Sequence, residues 1–62
     1  MDRKEILNIL KASRDWNNPS KDSKNWRKAF ELFNEGKEKE DRLTDIGCSK
    51  CVETVKQWLT RD

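Results

Sequence analysis

The sequence predicts one all-α domain over residues 1–62, a compact bundle with three helices at about 3–15, 22–35 and 48–60 and a charged loop at 36–47. Apolar residues recur at helical spacing in three segments, and turn-forming residues separate those segments. No alternating apolar and polar run is long enough to predict a strand. Because each short helix must bury its apolar stripe against another element, three helices around one core are expected.

The first helix begins with a capping signal. Asp2 can cap the first turn, and Glu5 three residues later can complete a capping box. Asn17 and Pro19 predict the end of the helix, because asparagine favours turns and residues before proline avoid the helical region. Its buried side is predicted to consist of Ile6, Leu7, Ile9, Leu10 and Trp16.

The second helix has a clean aromatic face and a glycine stop. Ser20, Asp22 or Ser23 can cap it, and Gly36 in a left-handed conformation can end it. Residues 37–41 are either a charged connector or one more helical turn. The apolar face has the spacing i, i+3, i+4, i+7 and consists of Trp26, Ala29, Phe30 and Phe33.

The third helix is predicted to begin near Cys48 or Ser49 and to end near Thr60. Before it, residues 43–46 are expected to be extended and to cover the core with Leu43 and Ile46. The inner face of the helix consists of Cys51, Val52, Val55, Trp58 and Leu59.

Size and composition argue against an enzyme. The chain has 62 residues, of which 42% are charged and 32% hydrophobic, so its core is thin and leaves no room for a deep cleft. It has no histidine for general acid–base work. The sequence therefore predicts no catalytic residues and no cofactor.

Positive charge is concentrated in the first half of the chain. Residues 1–28 carry eight Lys or Arg against four acids, whereas residues 29–62 carry six against eight. On the second helix a basic strip lies opposite the aromatic face. It can contact nucleic acid or an acidic protein partner, or it is simply solvated. The basic strip consists of Lys21, Lys24, Arg27 and Lys28.

Two of the three tryptophans are candidate interface residues. Trp16 lies just before the predicted break in the chain, and Trp58 lies one turn from the C-terminus. Half-exposed tryptophans at the edge of a small bundle are good anchors for a protein partner. The alternative is that both belong to the core.

Both cysteines lie in one Cys-x-x-Cys, Cys48 and Cys51, at the start of the third helix. A helix N-terminus favours reactive thiolates, so a redox-active pair is one interpretation. A zinc site needs four ligands, so the two thiols would need Asp45, Glu53 or a second chain to complete one, and no metal is predicted. The favoured interpretation is that both thiols are small buried side chains of the core.

The segment from Phe33 to Leu59, with its Gly47-Cys48-x-x-Cys51 helix start, resembles small, poorly characterised proteins of tailed bacteriophages. That resemblance implies a phage accessory protein and transfers no activity to any residue. The chain is accordingly expected to be a non-enzymatic protein-interaction module, either a minor virion component or an effector that docks on a host protein. The alternatives are a small DNA-binding protein and a zinc-linked or thiol-active module.

Such a protein is expected in the host cytoplasm or the virion, because the longest apolar run of two residues predicts neither secretion nor membrane insertion. The sequence leaves its oligomeric state open.

Overall fold

The computed structural model describes residues 2–61, which contain three α-helices and no strand. The helices are α1 (Arg3–Ala12), α2 (Lys24–Asn34) and α3 (Ser49–Thr60). Short 3-10 turns lie between them at Arg14–Asn17 and Lys39–Asp41. The predicted all-α, three-helix fold is confirmed. No helix within residues 2–61 has the length and apolar character needed to cross a membrane.

One cluster of buried side chains forms the core, and all three helices contribute to it. A ring of half-buried side chains, including Trp16, Phe33 and Trp58, packs around this cluster. The prediction that Ile9 is buried is wrong: it lies at the edge of the inner face of α1 and is 37% exposed. The buried cluster consists of Ile6, Leu10, Trp26, Ala29, Phe30, Ile46, Val52, Val55 and Leu59.

Helix α1 ends one turn earlier than its apolar pattern predicted. Asp2 caps it as expected, accepting a hydrogen bond from the Glu5 backbone N–H at 2.8 Å. Ser13 then adopts an extended conformation, donates its hydroxyl to the Leu10 carbonyl and accepts from the Asp15 N–H. Serine competes in this way with the helical backbone, so residues 13–15 leave α1 and a 3-10 turn begins.

Asp15 joins that turn to the start of α2. Its carboxylate accepts hydrogen bonds from the Ser23 hydroxyl and the Asn25 side-chain amide, both at 3.0 Å. Its backbone carbonyl accepts from the indole N–H of Trp26, whose side chain is completely buried. The hydrogen bonds of Asp15 therefore hold the connection between α1 and α2. They also give the indole N–H of Trp26, the largest core residue, its hydrogen-bond acceptor.

The chain leaves α2 through Gly36, whose φ of +80° is the predicted left-handed stop. The connector at 36–47 is not a plain loop, since residues 39–41 form a 3-10 turn. Asn34 then holds the extended segment that follows. Its side-chain amide donates to the Leu43 carbonyl at 2.7 Å, and its side-chain oxygen accepts from the Leu43 N–H at 2.8 Å. Ile46 is buried as predicted.

The ends of the bundle are also tied together. The Arg3 guanidinium donates to the Trp58 carbonyl at 3.2 Å, which connects the start of α1 to the end of α3. The same carbonyl accepts from the Arg61 backbone N–H at 3.4 Å, so Arg3 is its second donor at the end of α3.

We expect Asp15→Ala to destabilise the fold by about 1–3 kcal/mol, because two partly buried donors lose their acceptor. In a chain of this length that loss lowers Tm by roughly 4–8 °C for each kcal/mol. Thermal unfolding followed by circular dichroism measures it. Asp22→Ala is the matched control, since it removes an exposed carboxylate whose oxygens accept no such bonds, and its Tm should stay near that of the wild type. Equal Tm values for the two variants would contradict the role of Asp15.

Candidate functional site

The solvent side of α2 carries three of the four residues of the basic strip together with two glutamates. Helical spacing puts five charged residues on one side, opposite the buried Trp26, Ala29 and Phe30, and all five are exposed. We call them the α2 face: Lys24, Arg27, Lys28, Glu31 and Glu35.

The structure brings the four residues of the basic strip together. Lys24 and Lys28 are one turn apart on α2, and Arg27 lies between them. The Arg27 side-chain Nε donates to the Lys21 carbonyl at 2.8 Å, so Lys21 is held against the start of the helix. Each of the four side chains is exposed.

The charges on α2 run against its helix dipole. A helix carries partial positive charge at its N-terminus and partial negative charge at its C-terminus, so acids are favoured at the start and bases at the end. Helix α1 has Glu5 in its first turn and Lys11 in its last, as this rule favours, although its first turn also holds Arg3 and Lys4. Helix α3 has neither an acid in its first turn nor a base in its last. Helix α2 also has no acid in its first turn and no base in its last; it begins with Lys24 and is followed by Glu35 at its C-cap.

Beside the α2 face lies a shallow groove between α2 and the extended segment 43–46. Its cavity has a volume of about 230 Å³. Phe30, Leu43 and Ile46 contribute its apolar lining, and Arg27 and Glu31 of the α2 face contribute charged groups to it. The hydrogen bonds between Asn34 and Leu43 fix the separation of its two walls.

Trp16 is packed on both sides of its ring. It stacks on Trp26 with ring centroids 6.0 Å apart. The ammonium groups of Lys11 and Lys56 lie 5.6 Å and 4.9 Å from its centroid, and such cation–π contacts are worth about 0.5–1 kcal/mol each at exposed sites. Trp16 thus has an internal structural role, and its predicted role as an interface residue stays a prediction.

Trp58 belongs to a second aromatic cluster. It meets Phe33 edge to face, with ring centroids 5.3 Å apart, and the Arg3 guanidinium lies 5.8 Å from its ring centroid. Lys37 lies over Phe33 at 4.5 Å. Like Trp16, Trp58 presents a half-buried ring beside a cation rather than a bare apolar patch, and its contact with a partner stays a prediction.

Cys48 and Cys51 are both free and half-buried, so the expectation that both are fully buried core residues is wrong. Cys48 is the N-cap of α3, and its sulfur accepts a hydrogen bond from the Cys51 backbone N–H at 3.3 Å. Cys51 lies one turn further on and packs against the core. The two thiols therefore share one corner of the molecule but occupy different environments.

The two environments shift the pKa values of the thiols in opposite directions. Hydrogen bonds from the Cys51 side chain and backbone lower the pKa of the Cys48 thiol. The hydrogen bond to Cys48 raises the pKa of the Cys51 thiol, and burial adds to that effect. The Asp45 carboxylate opposes ionisation of both thiols.

No group of three or more His, Cys, Asp or Glu side chains that could hold a metal ion is found within residues 2–61. Cys48 and Cys51 offer two sulfur ligands, whereas structural zinc requires four. A metal held by both thiols would therefore need ligands from a second molecule.

A second groove lies next to the cysteine pair, with a volume of about 370 Å³. Ile46, Val52 and Pro19 supply its apolar lining, and Glu53 and Lys56 bring charge to it. Neither thiol is among its lining residues, although their neighbours Gly47 and Ser49 are. The groove is therefore adjacent to the thiols but does not include them.

Sequence reasoning identified the basic strip and the cysteine pair but missed both grooves. Each groove is formed by segments far apart in the chain, so no local spacing indicates it. Asn34 was the available signal, because an asparagine at a helix end commonly bonds to nearby backbone.

No family model matches the chain, and no curated protein or solved structure is significantly similar to it.

We expect Lys24→Glu to stabilise the fold by about 0.3–1 kcal/mol, because it replaces a base with an acid in the first turn of α2. Urea unfolding at low ionic strength measures the gain, which added salt should reduce. Lys24→Gln separates the effect of losing the cation from that of gaining the anion. Its free energy of unfolding should lie between those of the wild type and Lys24→Glu. A glutamate variant less stable than the wild type would show that the dipole does not oppose Lys24.

Proposed function

We propose that this chain is a small, non-enzymatic interaction module that binds a protein partner through the α2 face and the groove beside it. The observation that carries the proposal is the set of exposed cations at the N-terminus of α2, where the helix dipole disfavours them. Charges that cost stability are a common feature of binding surfaces, since residues selected for function are not optimised for folding.

The order of charge along the α2 face favours a protein over a nucleic acid. Lys24, Arg27 and Lys28 are followed by Glu31 and Glu35 over a helix about 16 Å long. Duplex DNA carries one negative charge per roughly 1.7 Å of its axis, so a duplex lying along α2 would bring phosphates against both glutamates. A protein surface with acids followed by bases has no such conflict.

The groove supplies the apolar contact surface that the charged α2 face lacks. Rim charges mainly steer association and set orientation, whereas buried apolar contacts provide most of the affinity. Phe30, Leu43 and Ile46 line the groove and can receive an apolar side chain of the partner. Arg27 and Glu31 border the same groove, so polar and apolar contacts would form side by side.

The resemblance of the C-terminal half to phage accessory proteins suggests where the partner is found. In that setting the partner is a component of the virion or a protein of the host cell. To match the α2 face and the groove, the partner's surface needs an acidic patch next to a basic one and a projecting apolar side chain.

The alternative is a DNA-binding protein that uses the basic strip alone. The observation in its favour is that Arg27 holds Lys21 beside the start of α2, which gathers four cations at one helix end. Helix N-termini with nearby cations are suitable contacts for phosphate. This alternative gives the glutamates of the α2 face no role and predicts that they weaken binding.

Two double charge reversals distinguish the proposals. For a protein partner, Lys24→Glu with Lys28→Glu and Glu31→Lys with Glu35→Lys should each reduce capture, because each half of the α2 face meets an opposite charge. Quantitative affinity capture from virions and host lysate measures this. For DNA, the first reversal should abolish binding to a short duplex and the second should strengthen it, as measured by fluorescence anisotropy over a salt series.

Lys4→Glu with Lys39→Glu is the matched control for the first reversal, because it makes the same change in net charge at exposed positions outside α2. It should leave capture close to the wild-type level. Partners captured equally well by all four proteins would contradict the proposal, and so would duplex binding that rises with the second reversal.

A further inference from the structure

We propose that Cys48 and Cys51 form a redox-active dithiol that exchanges with small-molecule disulfides, with Cys48 as the attacking thiol and Cys51 as the resolving thiol. The inference is independent of the α2 face. It rests on the capping role of Cys48, on the position of Cys51 one turn away, and on the fact that both thiols are free and only half-buried.

The N-cap residue of α3 is of an unusual type, whereas those of the other two helices are of preferred types. Helices α1 and α2 are capped by Asp2 and Ser23, which are among the residues preferred at that position. Cysteine is not among them, and Ser49 is adjacent to Cys48 in sequence. A neutral thiol is a weak acceptor, whereas a thiolate at the same place accepts a charge-assisted hydrogen bond and faces the positive end of the helix dipole. The helix start is therefore better satisfied when Cys48 is ionised.

Cys48 and Cys51 lie three residues apart at the start of α3, a spacing close to what a disulfide requires. Positions three residues apart on a helix have Cβ atoms about 5–6 Å apart, and a disulfide needs about 3.5–4.5 Å. Cys48 lies outside the helix with an extended backbone, at φ −84° and ψ 116°, so a small rotation can close the gap without unwinding α3. The hydrogen bond from the Cys51 N–H to the Cys48 sulfur already draws the two residues together.

The two thiols differ in the way an exchange reaction requires. The attacking thiol must be ionised at working pH, and the resolving thiol must wait in protonated form until the mixed disulfide exists. The pKa of Cys48 is lowered by its hydrogen bonds with Cys51, and the pKa of Cys51 is raised. Cys51 also packs against the core, whereas Cys48 holds the outer position at the helix start.

The reaction balances as two successive exchanges. The Cys48 thiolate attacks one sulfur of the small disulfide, whose S–S bond breaks, and the other half leaves as a thiolate. Cys51 then loses its proton to water and attacks the Cys48 sulfur, which forms the Cys48–Cys51 disulfide and releases the second half as a thiolate. The protein dithiol is oxidised by two electrons, and the small disulfide is reduced to two thiols.

The surroundings of the pair indicate the class of oxidant. Neither thiol lines the neighbouring groove, so the pair is not shaped for one peptide segment. Open access favours compact disulfides such as oxidised glutathione. A zinc ion shared between two copies of the chain is the competing use of the same sulfurs.

The test treats the reduced protein with oxidised glutathione without oxygen, blocks remaining thiols by alkylation and measures intact mass. The wild type should lose two hydrogens and resist alkylation. Cys51→Ser should stop at the mixed disulfide on Cys48, and Cys48→Ser should react more slowly, because its remaining thiol packs against the core, where burial raises the pKa of Cys51. Serine is a preferred N-cap residue, so Cys48→Ser should keep the wild-type Tm, which separates lost chemistry from lost folding.

Three results would overturn the proposal. Equal rates of mixed-disulfide formation for the two serine variants would show that Cys48 is not the preferred attacking thiol. A wild-type protein that keeps one glutathione on each cysteine would show that the thiols do not pair. Native mass spectrometry that finds a dimer with bound zinc, lost on chelation, would assign the sulfurs to metal instead.

Discussion

Trp26 is the side chain on which the packing most depends, because the turn after α1, the next turn of α2 and helix α3 all contribute contacts to its buried ring. Trp16 stacks on the ring, Phe30 meets it edge to face at 6.2 Å, and Lys56 from α3 lies 5.9 Å from its centroid. Its indole N–H donates to the Asp15 carbonyl, so the one polar atom is satisfied inside the core. In a core of nine side chains, one indole is a large share of the apolar area that stabilises the fold.

This anchoring explains how α2 can carry charges against its own dipole. Short helices owe most of their stability in proteins to packing of an apolar face rather than to local preference. The inner side of α2 supplies Trp26, Ala29 and Phe30 to the core, and its outer side is then free to carry charges that do not favour the helix. Helix α3 likewise tolerates a cysteine at its N-cap, because Val52, Val55 and Leu59 pack its inner face into the core.

Features encoded by local spacing could be predicted from the sequence, whereas those that depend on distant contacts could not. The aromatic face of α2, the left-handed Gly36 and the Asp2 cap each follow from a few neighbouring residues. The early end of α1 depended on the hydroxyl of Ser13, and the exposure of Ile9 depended on where its neighbours packed. For the candidate site, the basic strip and the cysteine pair were visible as residue types. The grooves were not, because their walls come from separate segments.

The pairing of Asn34 with Leu43 has a consequence for the connector between them. One amide side chain binds both backbone groups of Leu43, as a neighbouring strand would, and so fixes the groove wall without help from residues 37–42. The entropy of closing a loop rises only slowly with its length. The connector can therefore change in length or composition during evolution while the surface beside α2 keeps its shape. Insertions in this small chain are accordingly best tolerated in the connector.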